Sequence, residues 1–205
     1  MYSPSYFNES RPDVLRSLIE QHPLGALITH SADGLDASHI PFEFVAPTED
    51  APFGVLRAHV ARANPLWHRS GDCLVVFQGA SAYVSPSLYE EKAVSGKVVP
   101  TWNYAAVHAH GPMRAIEDPA WILALLARLT DRHELNRPAP WAVQDAPRDF
   151  TEKLVAAIVG IEIPVQRLQG TWKMSQNRSL NDQVAIAADT GLLCLAPDTG
   201  LPGTL

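Results

Sequence analysis

LGALITHSADGLDASHIPFEF, residues 24–44, contains two strand-like runs joined by a turn. Leu24 to Thr29 and Leu35 to Phe44 read as the strands, and Ser31-Ala32-Asp33-Gly34 between them ends in an Asp-Gly pair that suits a hairpin. Antiparallel pairing follows. The same pattern outward from the hairpin predicts strands over Phe53 to Val60, Cys73 to Phe77, Pro100 to Ile116 and Ile161 to Leu168.

Three helices carry start signals. The first has Ser10 placed to cap it and Pro12 in its first turn, brings Val14, Leu15, Leu18 and Ile19 to one face, and stops at His22-Pro23. The second opens at Asp118-Pro119, lines up Trp121, Ile122, Leu125, Leu126 and Leu129, and ends before Pro138 and Pro140. The third runs from about Pro147 to Ile158 on the spacing of Phe150, Leu154 and Ala157/Ile158. An early hairpin meander with helices set between later strands is an α+β arrangement, an antiparallel sheet closed or partly closed into a barrel with peripheral helices. Residues 183–205, with Gly191, Pro197, Gly200, Pro202 and Gly203 and no sustained periodicity, read as a loose tail, which leaves residues 1–182 as the domain.

Composition excludes several classes. With 46% apolar and 19% charged residues the chain is globular rather than disordered. Its longest apolar-dominated stretch, Pro119 to Leu129, is about half of the ~20 residues a membrane span needs. MYSPSYFNESRPD has neither a basic cluster nor an apolar signal core, so the expected location is cytoplasmic. Cys73 and Cys194 lack CxxC spacing and supply neither a disulfide framework nor a thiolate zinc site. A net charge of −6 opposes non-specific DNA binding, which depends on cations that neutralise phosphates. Walker, GxGxxG, HExxH, GxSxG and zinc-finger patterns are absent.

Two segments carry candidate chemistry. In Arg57 to Trp67 a strand leads into a helix start, with Asn64 as cap, Pro65 in the first turn and Arg62 beside them. Free backbone N–H groups next to a guanidinium attract phosphate; the plain alternative is a capped helix with a solvated arginine. In Ser95 to Tyr104 a loop becomes a strand that puts Trp102, Tyr104, Ala106, His108 and His110 on one face and Thr101, Asn103, Ala105, Val107 and Ala109 on the other. Rings to stack on and Asn or Thr to hydrogen-bond a planar heterocycle are what a cofactor pocket requires, whereas the same rings also suit a core stripe. His108-x-His110 has no evident third ligand, so no metal is expected, and Thr130 to Glu134 reads as a C-terminal helical turn.

The order of motifs resembles the FMN-binding negative transcriptional regulators of bacteria, the PaiB type. They are MYSPSYFNESRP at residues 1–12, HPLG from His22, SHIPF from Ser38, HVARANP from His59 and LVVFQG from Leu74. AYVSPS from Ala82, GKVVPTWNY from Gly96, VHAHG from Val107 and TWKMSQN from Thr171 complete the series. The resemblance covers about residues 1–182 and implies a split-barrel flavin-binding fold, similar to pyridoxamine-phosphate oxidases and flavin reductases, working as a homodimer with FMN as cofactor. It implies that Arg62 and Asn64 hold the FMN phosphate, with His59 in the same motif, and that Ser38, His39, Ile40 and Pro41 run along the isoalloxazine edge. Lys97, Thr101, Trp102 and Asn103 would close the pocket, often from the second subunit, with Lys173 and Gln176 as further candidates. The family more often has Asn at Ser38, Trp at Leu88 and Lys at Thr171.

The implied role is transcriptional regulation, yet no helix-turn-helix pattern is visible and the charge offers DNA no footprint. A flavin-dependent oxidoreductase is the rival reading, although no catalytic acid or base stands out in the sequence. A third is a haem-binding or haem-degrading split barrel with His59, His108 or His110 as axial ligand.

Overall fold

The computed structural model describes residues 1–192. In chain order the elements are β1 (Asn8–Glu9), α1 (Pro12–Gln21), β2 (Leu24–Ser31), β3 (Gly34–Pro41), β4 (Glu43–Val45), β5 (Val55–Ala61) and β6 (Gly71–Val84). Then come α2 (Glu91–Val94), β7 (Thr101–Ile116), α3 (Pro119–Glu134), α4 (Arg148–Ala156), β8 (Ile158–Pro164), β9 (Arg167–Lys173) and α5 (Leu180–Thr190). The hydrogen-bonded order β3-β2-β6-β7-β8-β5-β4 is an open path, with β9 also on β7 and β1 on β9. This is an antiparallel split barrel that does not close into a ring.

The chain forms two compact units, and β6 and β7 contribute residues to both. The first unit is Met1–His22, Phe77–His108 and the chain from Gln169. Here α1 buries Leu15, Leu18 and Ile19, as its spacing predicts, while Val14 is half-buried. Complete burial of a side chain like Ile19 contributes about 1.5–3 kcal/mol. Ser10 does not cap this helix. Arg11 occupies the capping position, and the Glu9 carboxylate takes its backbone N–H at 2.9 Å together with its guanidinium Nε at 3.0 Å and Nη2 at 2.6 Å.

The tail expected from residue 183 starts as helix instead. Ser179 caps α5 through the Asp182 N–H, Asp182 accepts the Glu90 N–H at 2.9 Å, and Ile186 packs on Val84 and Tyr89. Gly191, at φ 71°, ends the helix in the left-handed region that glycine adopts without a Cβ clash. Residues 193–205 lie outside the described residues.

The second unit is Pro23–Val76 and Ala109–Leu168. Its β2–β3 hairpin has Ser31 opposite Gly34, so the turn is Ala32-Asp33. The single strand expected over residues 35–44 is two. The chain turns at Phe42, 1% exposed, whose N–H bonds Pro23 O at 2.8 Å, and β4 leaves to pair with β5. The run 161–168 also divides: β8 ends at Pro164 and β9 begins at Arg167, while between them Val165 N–H bonds Gly54 O and Gln166 N–H bonds His110 O, each in register with the neighbouring β5–β8 and β7–β8 pairs. β6 is longer than the Cys73 to Phe77 run. The core gathers Leu56, Ile161 and Ile163 from β5 and β8 with Ile122 and Leu125 from α3. Asp118 caps α3 through Ala120 N–H at 2.9 Å, and the helix runs through Thr130 to its end at Glu134.

Candidate functional site

β7 is where sequence pattern becomes chemistry. Its buried face is Asn103, Ala105, Val107 and Ala109, and its ring-bearing face is the more open one, with Trp102 57% exposed. The aromatic stripe is therefore not core at this end. Trp102 meets Tyr83, itself half-exposed, edge to face at 6.1 Å.

In the first unit the start of β7, the end of β9 and the turn after it line a cavity of about 250 Å³. Thr101 and Asn103 come from β7 and Lys173 from β9; Ser175, Asn177 and Arg178 come from the turn; Tyr89 and the Tyr6-Phe7 pair supply rings. The turn closes by Arg178 N–H on Ser175 O, with Ser175 at φ 63°, an uncommon backbone state for a non-glycine residue and one that recurs at functional sites. Lys173 Nζ donates to Thr101 Oγ1 and, at 2.7 Å, to Trp102 O. Burial pushes its pKa below the usual lysine range. Ser175 Oγ donates to Asn103 Oδ1 at 2.9 Å, but Asn103 Nδ2 and the Tyr89 hydroxyl are buried without a partner. An unmet buried donor costs about 1–3 kcal/mol, so two beside one cavity are costly to keep unless a ligand meets them. The Arg178 guanidinium lies 4.3 Å from the Tyr89 ring centroid, and no described acidic side chain lines the cavity.

The residues singled out from sequence divide between the units. Thr101 and Asn103 come together at this cavity and Trp102 stands beside them through its carbonyl, whereas Lys97 is exposed in the segment before β7 and lines nothing there. Gln176 is spent on its own turn, accepting from Met174 N–H and donating to Trp172 O. Ser38, His39, Ile40 and Pro41 lie on β3, with Ile40 buried and His39 and Pro41 exposed, and His59 lies half-buried on β5, against which β3 packs. The His59 Nδ1 has no partner, and burial lowers the imidazole pKa.

Arg62 and Asn64 follow β5. Asn64 caps as predicted, accepting Leu66 N–H at 2.9 Å, but the helix it opens is a four-residue 3-10 turn, Pro65–His68. The Arg62 fork is engaged: Nη1 on Glu117 at 2.6 Å, Nε on Ala156 O at 3.0 Å and Nη2 on Ile158 O at 3.3 Å. A phosphate there has to displace Glu117, whose side chain is exposed, so the ion pair itself holds Arg62 only weakly.

Tyr89, Ser175 and Arg178 were missed. The TWKMSQN motif pointed to this turn, but which of its side chains face the cavity depends on the turn geometry rather than on spacing. A larger groove of about 690 Å³ runs along α3 and α4, lined by Leu123, Ala124, Ala127 and Val143 among others, and it holds none of the residues singled out. Among the described residues no cluster of His, Cys, Asp or Glu is arranged to hold a metal, and His110 Nδ1 faces Arg167 Nη2 at 3.0 Å. Among the described residues no helix is long and apolar enough to cross a membrane.

Comparison with known proteins gives the family and the fold. Residues 1–167 match the family described as "Putative FMN-binding domain". The chain belongs to this FMN-binding family. Its PaiB-type character is carried by the protease synthase and sporulation protein PAI 2 of Bacillus subtilis, 30% identical over 189 residues, 91% of this chain and 87% of that protein. An uncharacterized protein of Emericella nidulans is 35% identical over 98% of this chain and 93% of its own length. Among solved structures, the FAD and haem binding protein of Mycobacterium smegmatis aligns with a TM-score of 0.61 at 18% identity, covering 96% of this chain and 94% of that one. The flavocytochrome Anf3 of Azotobacter vinelandii aligns with a TM-score of 0.57 at 13% identity, over 98% and 88%. At such identities the likeness is one of fold. It agrees with the split barrel described above.

Proposed function

We propose that this protein binds FMN as a homodimer and acts as a PaiB-type transcriptional regulator. The observation that carries the flavin reading is the cavity at the start of β7. Thr101 and Asn103, two of the residues the family resemblance assigns to the cofactor, line it, and the buried Asn103 amide keeps a donor that no protein group meets. The Trp102 and Tyr83 rings, 57% and 49% exposed and packed edge to face, offer aromatic surface for a flavin or a second subunit. In this reading Ser38, His39, Ile40 and Pro41 border the isoalloxazine, His59, Arg62 and Asn64 serve the phosphate end, and Lys97 and Trp102 help to close the pocket. Bound flavin supplies electron or hydride transfer, and the protein's part is to hold and orient it. With a net charge of −6, DNA contact is weak and salt-sensitive unless another protein assists.

A flavin-dependent oxidoreductase is the second reading, and Lys173 favours it: a partly buried ammonium beside the cavity, its pKa lowered by burial, can serve as a proton donor. The absorption spectrum of protein purified without added cofactor tests the proposal. Flavin bands, with FMN bound more tightly than FAD in fluorescence titration, support it. A Soret band without flavin, or no affinity for FMN, overturns it. Sustained NAD(P)H oxidation moves the role from regulator to enzyme.

A further inference from the structure

We propose that the cavity between β7, β9 and the Ser175–Arg178 turn is a phosphate-binding site, in which Lys173 and Arg178 supply charge and Asn103 and Tyr89 supply neutral donors. Three observations converge on it. Both charged groups at the lining are cationic and no described carboxylate opposes them, so an anion is the ligand whose charge is met there. Asn103 and Tyr89, 1% and 3% exposed, each keep a buried donor without a partner. A ligand with several acceptor oxygens offers partners for both. Ser175, held at a positive φ, carries the turn that delivers Arg178 and bonds Asn103, so the donor set is fixed before any ligand arrives.

A volume of about 250 Å³ exceeds a bare phosphate and leaves room for a phosphate carried on a larger molecule. That molecule is either the flavin itself, in which case the inference rests on the flavin reading above but moves the phosphate end from Arg62 and Asn64 to this cavity, or a separate phosphorylated compound. The chemistry of recognition is the same for both.

Two titrations separate the cases, each on wild type, Lys173→Met and Tyr89→Phe. Inorganic phosphate is titrated by calorimetry with and without saturating FMN, and FMN and riboflavin are compared by fluorescence. Loss of a charge-assisted contact in Lys173→Met is expected to weaken the phosphate-bearing ligand roughly ten- to hundred-fold. Tyr89→Phe is expected to weaken it about two- to tenfold. Because the Tyr89 hydroxyl has no partner, that variant keeps or raises its melting temperature and separates binding from folding. Loss of the FMN-over-riboflavin preference in both variants identifies the flavin phosphate as the occupant. Phosphate binding that persists under saturating FMN and weakens in both variants identifies a separate ligand. Either result supports the site. If wild type shows no phosphate binding and all three proteins show the same FMN-to-riboflavin ratio, or if both variants bind phosphate like wild type, the inference is overturned. Phosphate binding without affinity for either flavin refutes the flavin reading alone.

Discussion

Asn103 is 1% exposed, with its carbonyl satisfied by Ser175 and its amide N–H groups unmet. Ser175→Ala removes the donor and leaves Oδ1 unmet as well. It is expected to cost about 1–3 kcal/mol, and for a chain of this size each kcal/mol lowers Tm by roughly 2–4 °C. Asn103→Leu made in the Ser175→Ala background removes donor, acceptor and the unmet N–H groups at once. Leucine keeps the branching of asparagine, and the adjoining cavity takes its extra bulk. The lost hydrogen bond, net about 1 kcal/mol, is set against release of a buried donor that costs about 1–3 kcal/mol. The double variant is therefore expected within about 1 kcal/mol of wild type, or above it, and to recover what Ser175→Ala loses. Urea denaturation of the four proteins of the cycle measures this. The same cycle run with FMN is expected to stabilise wild type by about 2.7 kcal/mol at a hundredfold excess over Kd, and the double variant by clearly less. A double variant as unstable as Ser175→Ala, or one that keeps the full FMN stabilisation, refutes the idea that the Asn103 amide is kept polar for a ligand.

With the flavin phosphate at Arg62, Arg62→Ala is expected to weaken FMN roughly ten- to hundred-fold while riboflavin binding is nearly unchanged, as fluorescence titration of folded protein reads out. Equal loss for both flavins assigns Arg62 to its Ala156 and Ile158 carbonyl contacts alone. Gly111→Ala puts a Cβ 2.1 Å from the Pro164 carbonyl oxygen; neither backbone can give way cheaply, so thermal or urea denaturation should show a loss of about 3 kcal/mol or more. Burial lowers the His59 pKa, so below the ordinary histidine value the unfolded chain binds more protons than the folded one. The contribution is complete above that value and is lost as pH falls toward the depressed folded pKa. Urea midpoints between neutral pH and about pH 5 are therefore expected to fall less steeply in His59→Gln than in wild type. The Cys73 thiol, pushed up to about 12 by burial and the neighbouring Asp72 charge, is expected to resist thiol reagents in native protein and to react on unfolding, with peptide mapping to locate the label.

Signals that act over a few residues were legible in the sequence. The Asn64 and Asp118 caps, the apolar face of α1 and the β2–β3 hairpin each follow from neighbours in the chain, because a cap or a turn satisfies its own backbone groups locally. The ordered motifs then identified the family. The Ser179–Asp182 cap of α5 was legible too, but the Gly- and Pro-rich stretch after it drew the reading toward a tail. Which strands break could not be read, because the breaks follow from changes of pairing partner: β3 runs beside β2 whereas β4 pairs with β5, and β8 pairs with β5 and β7 whereas β9 pairs with β7 and β1. Nor could the cavity be read. Alternation along β7 put Asn103 and Thr101 on one face, but only folding brought Ser175, 72 positions away, to the Asn103 carbonyl and left the amide beside it unmet. Likewise spacing made Arg62 look available, whereas folding set three acceptors around it. Whether a polar group is spent or free depends on which partners the packed chain delivers to it, and that is a property of tertiary contacts that no local pattern encodes.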